Sequence, residues 1–376
     1  MTISADIFQF STETPSAGRY EHVLMTVQAA IAAARLGKPF LVREGQRLHL
    51  CQAVDGVSED GLRDFKALQV GRSPVLILTG ERADILGFEA ENPISVPMTT
   101  VDTPQSLYAI AADHPAKVNR RPVYEEADAK AALRLLTIAK LLPACLFYGD
   151  VAQPLAHKAS DIPVVDVEAI TDFADAKLRS MRRKSEAPIP VRGGIETRMV
   201  VFEYATGETE IALLVGKPQL ASGLTIRIHS ACVTGDIFGS ERCDCGDQLR
   251  LSIEKLHELG GGAVLYLDQE GRGIGLSNKI RAYELQDQAL DTVDANRTLG
   301  FGDDMREYAM AAAMVRALGW QSVSILTNNP NKVSALEAQG LTVEKRIPHQ
   351  APMNENNSHY LQTKARRSGH MLTYKS

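Results

Sequence analysis

Apolar positions along the chain switch between helical and strand spacing. Val23, Val27, Ala30 and Ile31 recur near helical spacing and predict a helix over 20–36, stopped by Gly37. The following KPFLVREGQRLHLCQAV predicts two short strands around a Glu44-Gly45 turn. A polar helix over 59–69 and an apolar strand from Pro74 to Thr79 come next. A helix from Asp128 to Leu142, capped by Asp128 and ended by Pro143, closes this half. Residues 1–18 are polar and turn-rich and read as a loose arm.

Between about 150 and 197 the pattern weakens. Pro154, Pro163, Pro188 and Pro190, the basic run Arg179–Lys184 and Gly193-Gly194 mark a connector with one helix over Val167–Met181. Beyond it the pattern is regular. Thr197–Tyr204 and Thr209–Val215 alternate as a hairpin, and Leu224–His229 is a further strand. A helix over Asp247–Glu258 leads to the strand Ala263–Asp268. Helices follow over Ser277–Leu290, capped by Ser277, and over Met305–Leu318. The strand Ser322–Thr327, a helix opened by Asn328-Asn-Pro330 and the strand Leu341–Arg346 end the series. Alternating strands and helices predict an α/β fold of mixed α+β character with a mainly parallel sheet segment. The domain reading is 1–150, a connector over 151–190, and 191–376.

Composition narrows the function classes. The 376 residues suit two domains, and 44% hydrophobic with 23% charged residues is an ordinary globular balance. A net charge of −5 marks no nucleic-acid partner. No apolar run is long enough for a spanning helix, and the first residues lack a signal-peptide pattern, so the expectation is a soluble, cytoplasmic protein without a membrane partner.

Five cysteines argue against a disulfide framework, and three of them, Cys232, Cys243 and Cys245, lie within fourteen residues. Three thiolates suit Zn²⁺, and a catalytic zinc keeps one position for water where a structural one takes four protein ligands. Two alternatives stand beside this: the thiols are simply buried apolar groups, or His229 completes a closed structural site. Arg242 beside Cys243 would offset thiolate charge or is a surface residue.

After the strand ending at Asp268 comes Gln269-Glu-Gly-Arg-Gly-Ile-Gly275, a glycine-rich turn whose backbone N–H groups suit phosphate. It matches neither the Walker nor the dinucleotide pattern. With Arg272, Lys279 and Arg281 nearby it points to a mononucleotide, and the alternative is a tight βα turn. Thr327-Asn-Asn-Pro-Asn-Lys332 is a second candidate cradle, with ordinary capping as its alternative. Asp303 reads as a helix cap. Asp304 and Arg306, two apart, are close enough for one to tune the other.

The motifs H-S-x-C-x-T-G-D-x-F-G-S-x-R-C-D-C-G-x-Q-L, Q-E-G-R-G-I-G-L, N-K-I-R-A-Y-x-L-Q-D-Q, D-T-V-x-A-N, L-T-N-N-P-x-K and H-Y-L-x-T-K-x-x-x-x-G-H, in that order, resemble GTP cyclohydrolase II of riboflavin biosynthesis from about Arg198 to Leu372. The resemblance implies one Zn²⁺ per subunit on Cys232, Cys243 and Cys245, activating water for attack on C8 of guanine. It implies loss of formate, and loss of pyrophosphate from a triphosphate carrying Mg²⁺, to give 2,5-diamino-6-ribosylamino-4(3H)-pyrimidinone 5′-phosphate. Arg306 would be the nucleophile toward the α-phosphorus, with Asp304 its base. Tyr283 would support deformylation, or else only packs its helix. Gln248, Glu270, Gly271, Arg272, Thr292, Thr327 and Lys332 match GTP-binding positions, with Arg227, Ile228, His229, Ser230 and Ala231 as a further contact segment. The family implies a homodimer.

Two residues depart from the family pattern: Ala231 stands where Glu is usual, and Asp268 where Arg is usual. They motivate a second reading, a nucleotide-binding regulator without turnover; a third is a purine-opening paralogue that stops at an earlier product or serves another pathway. Residues 23–90 faintly resemble 3,4-dihydroxy-2-butanone 4-phosphate synthase. The acidic cluster that would hold Mg²⁺ there is reduced to one acid in Val42–His49, which implies a degenerate, catalytically inert domain.

Overall fold

A computed structural model describes residues 17–69, 71–116, 118–124, 127–151, 161–219 and 223–351. The arm expected at the N-terminus and the H-Y-L-x-T-K motif that begins at His359 lie outside the described residues, apart from the start of the first helix. Among the described residues no helix is long and apolar enough to cross a membrane. Close packing groups the chain into two units, neither continuous in sequence. Among the described residues, one holds those of Val23–Ala174 with Gln269–Arg306; the other holds 17–22, those of Asp175–Asp268, and 307–351.

The first unit is built on a seven-stranded sheet in the order β5-β4-β3-β6-β2-β1-β7. Its strands are β1 (Phe40–Glu44), β2 (Arg47–Ala53), β3 (Val75–Leu78), β4 (Ile94–Pro97), β5 (Val123–Tyr124), β6 (Ala144–Tyr148) and β7 (Val164–Asp166). All neighbours are antiparallel except β1 and β7. The expected β1–β2 hairpin turns at Gly45, whose φ of 60° suits a residue without Cβ. Central β6 is buried at every position, so ACLFY reads as a continuous apolar run rather than an alternation. The helix expected over Asp128–Leu142 spans Ala127–Ile138. Asp128 therefore lies inside it, and Lys140 at φ 60° turns the chain out before Pro143 is reached.

The second unit carries a seven-stranded sheet in the order β14-β13-β11-β12-β10-β9-β8. These are β8 (Arg182–Pro188), β9 (Thr197–Glu203), β10 (Thr209–Gly216), β11 (Leu224–Ser230), β12 (Gly261–Leu267), β13 (Ser322–Leu326) and β14 (Thr342–Ile347). The four strands β12-β11-β13-β14 run parallel, and β10, β9 and β8 extend the sheet antiparallel. Phe202, Ile226, Leu265, Met314, Trp320 and Ile325 fill one core; Val215, Leu256, Val264 and Leu326 fill another under the helix Cys245–Glu258. Cover on both faces is what a parallel segment requires.

The basic run read as part of a connector enters the sheet as edge strand β8, exposed at every position. Its charges keep that edge from pairing further, with Lys184 bonded to Glu203 at 3.0 Å. The helix expected from Met305 begins only at Ala309. The helix expected over Ser277–Leu290 spans Leu276–Asp287, with Gly275 rather than Ser277 at its N-cap.

Chain order places β11 between β12 and β13, so the parallel strands diverge on either side of it. Ligands of open α/β sheets bind beyond the carboxyl ends of strands at such a point. Cys232 follows β11, Asp268 follows β12 and Thr327 follows β13. Gly262 lets β12 pack closely: an added Cβ would lie 2.4 Å from the Thr225 carbonyl oxygen and 2.5 Å from Leu256 Cδ2. Gly262→Ala is therefore expected to cost about 2 kcal/mol, or roughly 5 °C in melting temperature, in a thermal unfolding scan.

Candidate metal centre

Cys232 lies two residues beyond the end of β11 and precedes the short helix Val233–Asp236; Cys245 is the first residue of the helix Cys245–Glu258. Cys232 Sγ and Cys243 Sγ are 3.6 Å apart, and all three sulfurs lie within 4.8 Å of one another. Gly235 and Gly246 make this convergence possible. A Cβ on Gly235 would sit 3.0 Å from Cys243 Sγ and 3.2 Å from Cys232 Sγ, and one on Gly246 would sit 2.3 Å from the Gly235 carbonyl oxygen. The Cys243 thiol is pushed up to about 11, first by its hydrogen bond with Cys232, with burial adding to the rise. Crowded sulfurs resist ionising together unless a cation sits among them. A soft dication such as Zn²⁺ fits this donor set.

His229 does not complete the set. Its Nε2 lies 3.1 Å from both carboxylate oxygens of Asp236, and its ring stacks on Tyr266 with centroids 5.5 Å apart. Burial lowers its pKa against the opposing pull of Asp236. Among the described residues the metal-capable group is the three cysteines alone.

Asp236 is the residue that sequence reasoning missed. Its carboxylate accepts from the Cys232 backbone N–H at 2.9 Å and from the Tyr266 hydroxyl at 2.9 Å, besides facing His229. It fixes the first cysteine through its backbone. Its place four residues after Cys232, in T-G-D, was the available signal.

Around this centre the same unit gathers most of the expected contact residues. Arg227 donates to the Leu326 carbonyl at 3.1 Å and to Gln248, and Gln248 in turn donates to Asp244. Lys332 donates to the Ile228 carbonyl at 2.9 Å, and its ammonium lies 5.7 Å from the Tyr308 ring centroid. Thr327 Oγ1 accepts from the Asn329 N–H at 3.0 Å. His229 Nδ1 and Ser230 Oγ are buried with no hydrogen-bond partner among the described residues. Such atoms call for a ligand or water. Ala231 presents no polar side chain there; its N–H donates to the Leu267 carbonyl.

Glu270, Gly271, Arg272, Tyr283, Thr292, Asp304 and Arg306 fall in the other unit. Glu270 is buried and bonded to Lys279 Nζ at 2.8 Å. Gly271 and Arg272 both take left-handed φ, 63° and 62°, a strained state for arginine. Met305 N–H holds that turn by donating to the Arg272 carbonyl at 3.0 Å. Arg306 Nε donates to Asp304 Oδ1 at 2.8 Å, and its Nη2 to the second oxygen. Burial raises the Asp304 pKa, but the bonds from Arg306, with Arg272 nearby, hold it below the ordinary carboxylate value. Asp303 caps no helix; it accepts from Arg297 at 2.9 Å. Lys279 lies 5.6 Å from the Tyr283 ring centroid, and Thr292 opens a helix capped by Asp291.

Asp268 is exposed, and its N–H donates to Glu210 Oε2 at 2.8 Å. Glu210 is buried on β10, accepts from the Tyr204 hydroxyl, and is pushed up to about 7, chiefly by burial and further by the Asp268 charge.

The sequence profile of the GTP cyclohydrolase II family matches residues 182–348. Among curated relatives, a protein named GTP cyclohydrolase-2 from Xylella fastidiosa (strain 9a5c) is 39% identical over 352 residues, 92% of this chain and 87% of the relative. One of the same name from Azospirillum brasilense is 37% identical over 94% of this chain and 95% of its own length. The riboflavin biosynthesis protein RibBA of Endomicrobium trichonymphae is 40% identical over 57% of this chain and 53% of its own.

Removing Asp236 frees the backbone of one sulfur donor. Asp236→Ala is expected to weaken metal retention about 10–100-fold in a chelator competition, with Asp236→Asn in between. Glu210 binds its proton more tightly folded than unfolded, so stability falls as pH rises toward about 7 and then levels off. Glu210→Gln should remove roughly 2–3 kcal/mol of that pH-dependent loss between pH 5 and 8, read from melting curves.

Proposed function

The chain belongs to the GTP cyclohydrolase II family, and on that premise we propose that it hydrolyses GTP with opening of the imidazole ring, as the first step of riboflavin biosynthesis. Formate and pyrophosphate leave, and 2,5-diamino-6-ribosylamino-4(3H)-pyrimidinone 5′-phosphate remains. The observation that carries this reading is the convergence of Cys232, Cys243 and Cys245 within 4.8 Å, with His229 turned to Asp236 instead of joining them. Zn²⁺ bound by these sulfurs supplies Lewis acidity, which makes water a nucleophile near neutral pH.

The remaining roles belong to the chain's own side chains. Asp236, as acceptor, keeps the His229 proton on Nε2 and leaves Nδ1 as an acceptor for a substrate N–H or O–H. Ser230 Oγ offers a second polar contact in the segment Arg227, Ile228, His229, Ser230 and Ala231. Arg227, Gln248, Thr327 and Lys332 bind GTP, as do Glu270, Gly271, Arg272 and Thr292, with Mg²⁺ accompanying the triphosphate. Arg306 attacks the α-phosphorus: a nitrogen–phosphorus bond forms, the bridging oxygen–phosphorus bond breaks, and pyrophosphate leaves with the electron pair. Water then attacks that phosphorus, the nitrogen–phosphorus bond breaks with its electron pair returning to the guanidine nitrogen, which regains its proton, and the 5′-phosphate is freed. Asp304 is ionised and already bonded to the guanidinium, so it is placed to accept the proton that nitrogen must lose. Tyr283 supports loss of formate as a proton donor or acceptor.

We assign this chemistry to residues carried by 191–376, and read 1–150 as inert toward sugar phosphates. The working form is a cytoplasmic homodimer. Ala231 and Asp268 favour one other reading, a nucleotide-binding protein without turnover, because each removes or inverts a charge beside a binding motif.

Incubation with GTP, Zn²⁺ and Mg²⁺ distinguishes the two. Formate and pyrophosphate should appear with a product of the stated mass, and Cys243→Ser should abolish formate release. Full ring opening by that variant, or nucleotide binding without any product from the parent chain, overturns the assignment.

A further inference from the structure

We infer that the first 151 residues supply positioning residues for the triphosphate chemistry: Asp55, Thr79, Arg82 and Lys140 hold the two backbone stretches that carry Glu270–Arg272 and Asp304–Arg306. The inference rests on the reading of those stretches given above.

All of these contacts lie within one compact unit. Lys140 Nζ donates to the Gly273 carbonyl at 2.6 Å, and the Lys140 carbonyl accepts from Asn278 at 3.0 Å. The approach is close enough that a Cβ on Gly275 would lie 3.1 Å from Lys140 Cβ. Asp55 binds Arg281 through two bonds of 2.8 Å each, fixing the helix that leaves the glycine-rich turn. Arg281, read from sequence as a phosphate ligand, is thereby engaged by a carboxylate 226 residues away. Thr79 Oγ1 donates to the Gly300 carbonyl at 2.9 Å.

Arg82 shows that these contacts serve more than packing. It is 1% exposed, and its guanidinium donates to four carbonyls: Ile110 at 2.8 Å, Ala109 at 3.1 Å, Asp113 at 2.9 Å and Thr298 at 2.9 Å. Burying a cation is expensive, and an apolar side chain would fill the same space. Here the charge closes the carboxyl ends of two helices at once, Pro104–Ala112 and Thr292–Thr298. The second of these helices ends six residues before Asp304. Beyond it the chain borders an open cleft of about 230 Å³ between Thr79, Lys130, Arg134, Phe301 and Met305. Leu299 and Phe301 pack the start of this loop into the core, and the hydrogen bonds to Thr298 and Gly300 fix its backbone beside the cleft.

The full chain tests this with Asp55→Arg, Arg281→Asp, their combination, and the near-isosteric Thr79→Val. Arg43→Ala, which breaks an exposed pair with Asp166 in the same unit, is the control. Either single charge reversal should lower kcat for pyrophosphate release about tenfold at a temperature where the variant remains folded, and the swapped pair should recover most of it. Thr79→Val should speed amide hydrogen exchange over 299–306 about tenfold, while Arg43→Ala changes neither quantity. Wild-type kcat and exchange in Asp55→Arg and Thr79→Val overturn the inference, as does a swapped pair no better than the singles. If the parent chain fails to turn over GTP, the activity reading falls; the exchange measurement then decides the positioning role by itself.

Discussion

Three sulfurs crowded within 4.8 Å repel one another as they ionise, so the backbone that carries them must be held by something other than the sulfurs. Two devices do this. Glycine at 235 and 246 removes the Cβ atoms that would occupy the space between the turn and the helix start. Asp236 then binds the Cys232 N–H, the Tyr266 hydroxyl and His229 with one buried carboxylate. The donor set is preorganised, and a cation entering it relieves a repulsion already built in.

The parallel strands explain why the centre stands where it does. Strand β11 leads to Cys232 through the Arg227–Ala231 segment, Asp268 follows β12, and Thr327 follows β13, all at carboxyl ends. Lys332 reaches back across the sheet to the Ile228 carbonyl, tying the helix after β13 to the strand before the cysteines. The constellation is thus carried by strand ends and helix starts, which hold side chains more firmly than loops do.

Much of this was legible in the sequence, and the failures share one cause. Local signals located the β1–β2 hairpin, the hairpin over Thr197–Val215, the cysteine cluster and the helix opened by Pro330. They failed where side-chain or long-range bonds took over a local role, or where a strand carried no alternation. The helix read from Met305 starts late because Met305 N–H is bonded to Arg272, Asp303 to Arg297 and Asp304 to Arg306. Arg179–Lys184 looked like a linker because β8 is exposed on both faces and so carries no alternation. Asp55 and Arg82 had no signal for their links to Arg281 and Thr298, which lie over 200 residues away.

The two ion pairs near the glycine-rich turn show how burial divides labour between like chemistries. Glu270 and Lys279 are 7% and 9% exposed and bonded at 2.8 Å. Separating them would strand a charge in low dielectric, at a cost of several kcal/mol, so that pair is fixed in place. Asp304 is 41% exposed and Arg306 14%. Water can solvate the carboxylate as its partner moves, so the pair can exchange a proton and part at a much smaller cost. The proposed proton transfer and bond formation at Arg306 need the second kind of pair, while a glycine-rich turn kept in one shape needs the first.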